Sequence, residues 1–594
     1  VGPLTRLRCA AAAASLAFVV AGCGSRKLQD KGPGQIVSGG AGIGGGGPSG
    51  AAGAGNSAGG GQLPDPCDGS DPELVLAPQR KLLLTSNELV NMVSTLVNDV
   101  EAGAIVNEAI INVVTDYQRR FPPGLFEPTK QIANSTEMIP FTNLARHVAK
   151  YVFDNFQQAT GCVPATDACA KAYLATFAEK AYRRPLDAGE QSDLDASYEA
   201  ARAAGAIEEA TRDVIATILV APPFLYRSEM GDPARPSLSP PGMPLTPYEL
   251  ASALSFFLTD GPPDQLLLDD ARAGTLPATL AAHTDRLLTT PAARAWLTKL
   301  IETLYKLNEL PGVIIDRNKV PIAGDALYAD LQEEARLFLD DTLWNANLTD
   351  ILLSRTTFLN SNLAKYIYDL PAPTGATGSN FVRTTLPADQ RSGLLTNAGF
   401  ITLTARAERT SLVHRGITVG ALMLCRGFPP PPSTAVSGET VQLNALDTQT
   451  GQQQVVYRAS MPPCGSCHAQ FDPYGLALDG YDMVGRFRDT DDLGEPINAS
   501  ATLPPELGGG TVANAVDLAR VIAMSPAFTN CMTSNMLRYA LVDAPVDLPS
   551  PPDGKRGCAV ADVVRRFAGG AATFPALMRA VALSPAFAMR VPAQ

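Results

Sequence analysis

Cys464, Cys467 and His468, within PPCGSCHAQFDPYGLALDGYD (462–482), are the residues whose types and spacing together imply a chemistry. The two thiols are three residues apart, one turn of a helix, so both can face one porphyrin edge and form thioethers with its two vinyl groups. His468 follows directly and can turn its imidazole beneath the iron as the proximal ligand. C-x-x-C-H therefore points to a single covalent c-type haem. Other chemistries use parts of the pattern. A zinc knuckle needs two further ligands, and a chain with four histidines has no second Cys or His pair at metal-binding spacing. A thioredoxin-like redox pair needs a βαβ context, which MPPCGSCHAQFDP does not offer. A structural disulfide between Cys464 and Cys467, beside an idle histidine, stays open. For the other axial position of the iron the candidates are Met483, Met524 and His414. A methionine there makes an electron carrier, whereas an open position admits ligand or peroxide chemistry. Each methionine also serves as core filler. His147 and His283 lie on helical patterns as satisfied or surface histidines. No G-x-S-x-G elbow, H-E-x-x-H or P-loop occurs in the sequence.

Haem of this type is attached outside the cytoplasm, and the N-terminus fits export. Arg6 and Arg8 precede the apolar run AAAASLAFVVAG, with Cys23 immediately after it. That order is the n-region, h-region and small-residue cleavage site of a signal peptide, and the run is too short to span a bilayer stably. VAGC (Val20 to Cys23) resembles a bacterial lipobox, which implies lipidation of Cys23 and a membrane anchor without a transmembrane helix. Gly24 and Ser25 follow in place of a retaining aspartate, so the outer membrane is favoured over the inner. The Gly/Ser/Ala-rich stretch after it is a tether.

Length and composition set outer bounds. At 594 residues and 45% hydrophobic the chain buries a large core and reads as several domains. The net charge of -12, without a basic cluster beyond the first residues, argues against nucleic acid as a partner. Of the ten cysteines, six lie outside the signal, the lipobox and C-x-x-C-H: Cys67, Cys162, Cys169, Cys425, Cys531 and Cys558. Their pairing is not fixed by sequence. The short loop CVPATDAC favours Cys162 with Cys169, and Cys531 with Cys558 would close two helices onto each other.

The elements that must position the motif read as mostly helical, with Pro-rich connectors. TSNE (85–88), DAGE (187–190) and TPYE (246–249) are capping boxes, so helices begin near residues 86, 188 and 247. Between Asp325 and Trp344, residues Leu327, Leu331, Ala335, Phe338 and Thr342 share one helical face. RVIAMSPAF (520–528) and RAVALSPAF (579–587) form a weak repeat, echoed by VIATILVAPPFLYR (214–227), in which Pro stops a helix and Phe staples the turn. Leu583 stands where the first copy has Met524. Pro429 to Pro432 form a polyproline strut leading into C-x-x-C-H. Beyond the motif, GRFRDTDDLGEPINASATL reads as strand, turn and strand; its DTDDLGE has Leu493 and Ser500 where a calcium loop needs ligands. The expected fold is mainly α: multi-helical tandem domains with a small β-hairpin after a CxxCH haem loop. The expected layout is signal 1–22, lipidated Cys and tether 23–78, helical domains 79–160, 161–232 and 233–370, a haem-c-like domain 371–500 and a C-terminal helical domain 501–594.

A family resemblance adds to this. LTSNELVNMVSTLV (84–97), FAEKAYRRPLDAGE (177–190), LTPYELASALSFFLTDGPPDQLL (245–267), RSGLLTNAGFITLTARAERTSLVHRG (391–416) and PPCGSCHAQFDPYGLALDGYDMVGRFR (462–488) together resemble the secreted bacterial domains of unknown function 1587, 1595, 1592, 1588 and 1585. These are abundant in planctomycetes and myxobacteria, and members are described as cytochrome-like. The resemblance implies a haem environment shaped by Asp472, Pro473, Gly475, Tyr481 and Asp482, with Arg486 or Arg488 as propionate partners. Gly480 departs from the family, which commonly has a polar residue there. The function expected is an envelope lipoprotein with haem c that exchanges electrons with an envelope redox partner, a carrier rather than a catalyst. The alternative is a cofactor-free, disulfide-stabilised envelope lipoprotein that binds or scaffolds, with polysaccharide as a candidate ligand.

Overall fold

The computed structural model describes residues 76–97, 138–238, 241–428, 448–461, 464–542 and 557–592. The signal segment, Cys23, the tether, Cys67 and the Pro429 to Pro432 strut lie outside the described residues. Numbering the helices of eight residues or more, the first five are α1 (Ser86–Val97), α2 (Ile139–Asp154), α3 (Asp167–Tyr182), α4 (Ala188–Arg202) and α5 (Ile207–Ile218). Then come α6 (Pro247–Thr259), α7 (Gln265–Ala273), α8 (Leu276–Leu288), α9 (Pro291–Leu304) and α10 (Asp325–Asn345). The chain continues with α11 (Leu412–Leu424), α12 (Gly451–Ser460), α13 (Gly465–Ala477), α14 (Ala515–Met524), α15 (Pro526–Ala540), α16 (Gly557–Ala568) and α17 (Phe574–Ala582).

Local chemistry sets where several of these start. At α1 the Glu88 amide donates to Thr85 Oγ1 at 3.2 Å and the Thr85 amide donates to the Glu88 carboxylate at 2.8 Å. Reciprocal boxes open α4 at Asp187 and α6 at Thr246, the latter with Pro247 at its first position. All three satisfy backbone donors that a helix start leaves unpaired.

Two hydrophobic cores result. Helices α1 to α5 close around Leu89, Phe141, Leu174, Phe177 and Ile215, while residues from Leu245 to Phe587 share a second, larger core. Helix α6 is buried on every side from Leu250 to Leu258 because it is the common wall: Phe256 belongs to the first core and Phe257 to the second. The Cys162–Cys169 disulfide closes the turn into α3.

Short sheets tie distant segments. Strands β1 (Ala77–Pro78), β4 (Ser237–Leu238), β5 (Pro241–Pro244) and β10 (Met589–Val591) form one sheet in the order β1-β10-β5-β4. In it β1 runs parallel to β10, and β5 runs antiparallel to both its neighbours. Antiparallel pairs join β2 (Arg80–Leu83) to β3 (Tyr226–Glu229), β6 (Thr356–Leu359) to β7 (Val382–Thr385), and β8 (Ala501–Thr502) to β9 (Thr511–Val512).

Three expectations change. C-x-x-C-H does not sit in a loop: Cys467 and His468 both donate backbone N–H groups to the Cys464 carbonyl, at 3.1 and 3.0 Å, and open α13. The hairpin after it reduces to single bridges, Tyr481 with Phe487 and Thr490 with Pro496, before β8 and β9. The second bridge is closed by Asp491 N–H donating to the Glu495 carbonyl at 2.9 Å and Ile497 N–H donating to the Asp489 carbonyl at 2.8 Å, and Asp491 Oδ1 accepts from the amides of Leu493 and Glu495 to hold the turn. In the Ser-Pro-Ala-Phe repeats, Pro opens a helix rather than only ending one. Ser525 and Ser584 are N-caps, Pro526 and Pro585 follow at the first helical positions, and Phe528 and Phe587 are buried.

Candidate functional site

Helix α13 carries the motif, and α11 lies against it antiparallel. The approach is backbone to backbone: a methyl at Gly416 would overlap the Phe471 carbonyl, and one at Gly475 would overlap the Leu412 carbonyl. Helix α12 covers another side, opened by a Thr450/Gln453 capping box. The far end of α13 is strapped by Arg415, fully buried in an otherwise apolar helix face, which donates to the carbonyls of Leu478 at 2.8 Å and Asp482 at 2.9 Å.

Cys464 and Cys467 are half-buried and not joined to each other. The His468 ring is 14% exposed and packs at 4.9 Å between centroids against Phe471, which meets Phe428 edge-on. His468 Nδ1 stands 3.1 Å from Asp472 Oδ1, one turn along α13. The carboxylate accepts, so Nδ1 carries a proton, and in the neutral ring it is Nε2 that holds the lone pair. Asp472 is 1% exposed, and its second oxygen accepts from Arg458 Nε at 2.7 Å. Two unjoined thiols one turn apart and an imidazole oriented through Nδ1 form a donor set that fits haem c. Among the described residues no group of three or more His, Cys, Asp and Glu is placed to hold a metal ion.

The three axial candidates are not brought together with His468. Met524 ends α14 and is 73% exposed. Met483 lies beyond the C-terminus of α13, packed into the larger core. His414 is on the face of α11 turned away from α13, two residues from Leu412 and from Gly416, with Nδ1 3.0 Å from the Thr404 carbonyl. Burial, with Arg406 nearby, pushes its pKa down.

The resemblance-derived residues divide. Gly475 lies in the packed heart of α13, next to the buried Tyr474, and Pro473 lies inside the helix. Tyr481 donates to the Gln390 carbonyl, and its ring stacks under Arg391, which also covers Tyr368. Asp482 accepts from the amides of Val484 and Arg486 at 2.9 Å each and pairs with the Arg486 guanidinium at 2.5 Å. Arg488 pairs with Asp492 at 2.7 Å. Both arginines therefore stand past the C-terminal end of α13, committed to acids. Sequence reasoning missed Arg415 and Arg458. The available signal was an arginine at a core-facing helix position, i+3 from Leu412 and i−4 from Val419.

Of the two proposed pairings, Cys162 with Cys169 is present, but Cys531 joins Cys425 rather than Cys558. Cys425 caps the C-terminus of α11, so the bridge ties to α15 the helix that backs α13. Cys558 is itself disulfide-bonded. His283 is a satisfied histidine, held between Asp270 at 2.9 Å and Arg286 at 3.2 Å, and His147 is exposed.

Residues 169–229, 245–370 and 391–491 match family models, each described as a protein of unknown function: DUF1595, DUF1592 and DUF1588. The chain thus carries three domains of unknown function in tandem. The DUF1588 segment holds α11, α12 and α13, and with them C-x-x-C-H. No curated protein and no solved structure matches the chain. No helix among the described residues is long and apolar enough to cross a membrane.

Proposed function

We propose that the protein is an exported, lipid-anchored cytochrome of the cell envelope, favouring the outer membrane, that passes electrons to or from an envelope partner. Cys464 and Cys467 would hold one haem c by thioethers, with His468 Nε2 as proximal ligand. The observation that carries this reading is the buried Asp472 carboxylate on His468 Nδ1, which orients the ring and leaves Nε2 as the nitrogen for a ligand, on the same helix as two unjoined cysteines. Haem bound there supplies a one-electron couple. The chain's own residues do the rest. Asp472 makes the imidazole a stronger donor, which favours the oxidised metal; Arg458 holds Asp472; Gly416 and Gly475 let α11 back the helix closely. Gly24 in place of a retaining aspartate supports the outer membrane, and the resemblance to secreted domains whose members are described as cytochrome-like supports the haem.

The test is expression of the whole chain with a c-type maturation system in a bacterial periplasm. The expected product has haem mass attached and shows Soret and α bands on reduction, both abolished in Cys464→Ala/Cys467→Ala. Haem-free protein whose mass shows a Cys464–Cys467 disulfide would replace this reading with the cofactor-free binding or scaffold lipoprotein.

A further inference from the structure

A groove of about 560 Å³ lies between α1 and α9, within the size range of small-molecule sites. One face of α1 lines it with Asn87 and Asn91, one face of α9 with Trp296 and Lys299, and Asp260 lines it from just past the end of α6.

Asp260 has needs that the fold leaves unmet. It caps α6 in the left-handed region, with φ 55°, where Gly or Asn is the ordinary choice and would bury no charge. The residue is 5% exposed, yet among the described residues no donor meets its carboxylate, and neither oxygen is sealed from solvent. Its backbone is satisfied separately: the amide donates to the Phe256 carbonyl at 3.1 Å, and the carbonyl accepts from Asn91 Nδ2 at 2.7 Å. Burial, with the Glu88 carboxylate nearby, pushes its pKa up to about 8 against the pull of Lys299 and Arg227. Glu88 brings no relief, being itself buried and paired with Arg227 at 3.1 Å. What this position lacks is a cation with hydrogens to donate.

The rest of the lining narrows the cation. Trp296 gives its N–H to the Tyr539 hydroxyl at 2.9 Å, so it offers the groove ring carbon, a surface that suits an ammonium and the methylenes beside it. Asn91, its nitrogen engaged on the Asp260 carbonyl, keeps its amide oxygen as a further acceptor. Lys299 is exposed on the same groove, where its charge repels a second ammonium and attracts a carboxylate.

We propose that this groove binds a small amino acid, its ammonium on Asp260, its carboxylate on Lys299 and its carbon chain against Trp296. Neither α1 nor α9 carries C-x-x-C-H, so the site stands whether or not haem is attached.

Calorimetry on the purified full chain tests this with two isomers, L-norvaline and 5-aminopentanoate, whose charges lie close together or far apart. One of them is expected to bind with a dissociation constant below about 1 mM, and the preference reads the spacing between the two ends of the site. Pentylammonium and pentanoate, which carry one charge each, are expected at least ~10-fold weaker. Asp260→Asn keeps the shape and suits the left-handed cap, so it should abolish binding at an unchanged or higher melting temperature. Lys299→Met should weaken the preferred isomer ~10-fold and leave pentylammonium no weaker. Absence of binding by both isomers up to about 10 mM overturns the proposal, as does pentanoate binding as tightly as either isomer or wild-type affinity in either variant. A lower melting temperature in Asp260→Asn also overturns it, by assigning the carboxylate to the fold.

Discussion

Asp472 accepts from His468 and from Arg458 at once, and both partners are largely buried, so its removal strands a guanidinium and frees a ring. Asp472→Ala should cost roughly 3–5 kcal/mol in stability, read as a lower melting temperature. Asp472→Asn keeps the shape and loses the charge. In haem-loaded protein it should raise the midpoint potential relative to wild type by redox titration, because a neutral partner leaves the imidazole a weaker donor. An unchanged potential would detach Asp472 from the iron. Glu334 makes a separate point about buried acids. It is fully buried on α10, accepting from Thr357 at 2.8 Å and Tyr368 at 2.5 Å, and burial pushes its pKa up to about 7. The folded value lies above the ordinary 4.5, so the native state holds this proton more tightly than the unfolded chain. Stability from this group is therefore full below about pH 4.5 and falls as pH rises to about 7, by roughly 3 kcal/mol. Glu334→Gln should flatten that part of the melting-temperature profile between pH 5 and 8. The thiols and His468 were legible because their chemistry fixes their spacing. Arg458, Arg415 and Glu334 were not, because a lone charged residue in a helical pattern reads as solvated until its neighbours in space are known.

Helices α11 and α13 show what an element contributes to such a site. Their crossing depends on two glycines facing backbone carbonyls, Gly416 on Phe471 and Gly475 on Leu412, and backbone cannot give way as a flexible side chain can. Gly416→Ala or Gly475→Ala gains helix propensity but must push the pair apart; overpacking of this kind costs about 1–3 kcal/mol. Either variant should melt lower than wild type, and Cys464 and Cys467 should react faster with a thiol reagent in the haem-free protein. A higher melting temperature would mean that the helices can separate without loss. At this scale the sequence was informative where a start signal is local: Thr85, Asp187 and Thr246 announced α1, α4 and α6 because a capping box needs only four residues. It failed where the outcome depends on a partner strand. The segment from Gly485 to Leu503 has turn chemistry at Asp491 and strand-like residues, yet it pairs only through single bridges. The Cys425–Cys531 bond spans 106 residues, beyond anything spacing can indicate.

Across the whole molecule, the described ends of the chain are fastened to each other and to the connection between the two cores. Strand β10 near the C-terminus lies between β1 and β5, and β2, just after β1, pairs with β3. One carboxylate joins these pieces. Glu229 on β3 pairs with Arg590 of β10 at 2.5 Å and Arg80 of β2 at 2.7 Å, with Arg590 0% and Glu229 2% exposed. Burial alone would raise the pKa of Glu229, but Arg590, Arg80 and Arg227 outweigh it and hold it at about 2. The folded value lies below the ordinary 4.5, so its stabilising contribution is present above about pH 4.5 and is lost as pH falls toward 2. Glu229→Gln leaves two buried guanidinium groups without their counter-charge at neutral pH, at a cost of roughly 3–5 kcal/mol. The variant should therefore melt well below wild type at pH 7, and the gap should narrow as pH is lowered from 5 to 3. Arg80 is the more accessible partner, with its side chain 12% exposed, so Arg80→Met should show the same pH pattern at smaller amplitude and serves if Glu229→Gln does not accumulate. Equal melting temperatures at pH 7 would show that the sheet holds the ends without the ion cluster. A gap that stays constant into acid would show that Glu229 acts by shape rather than by charge.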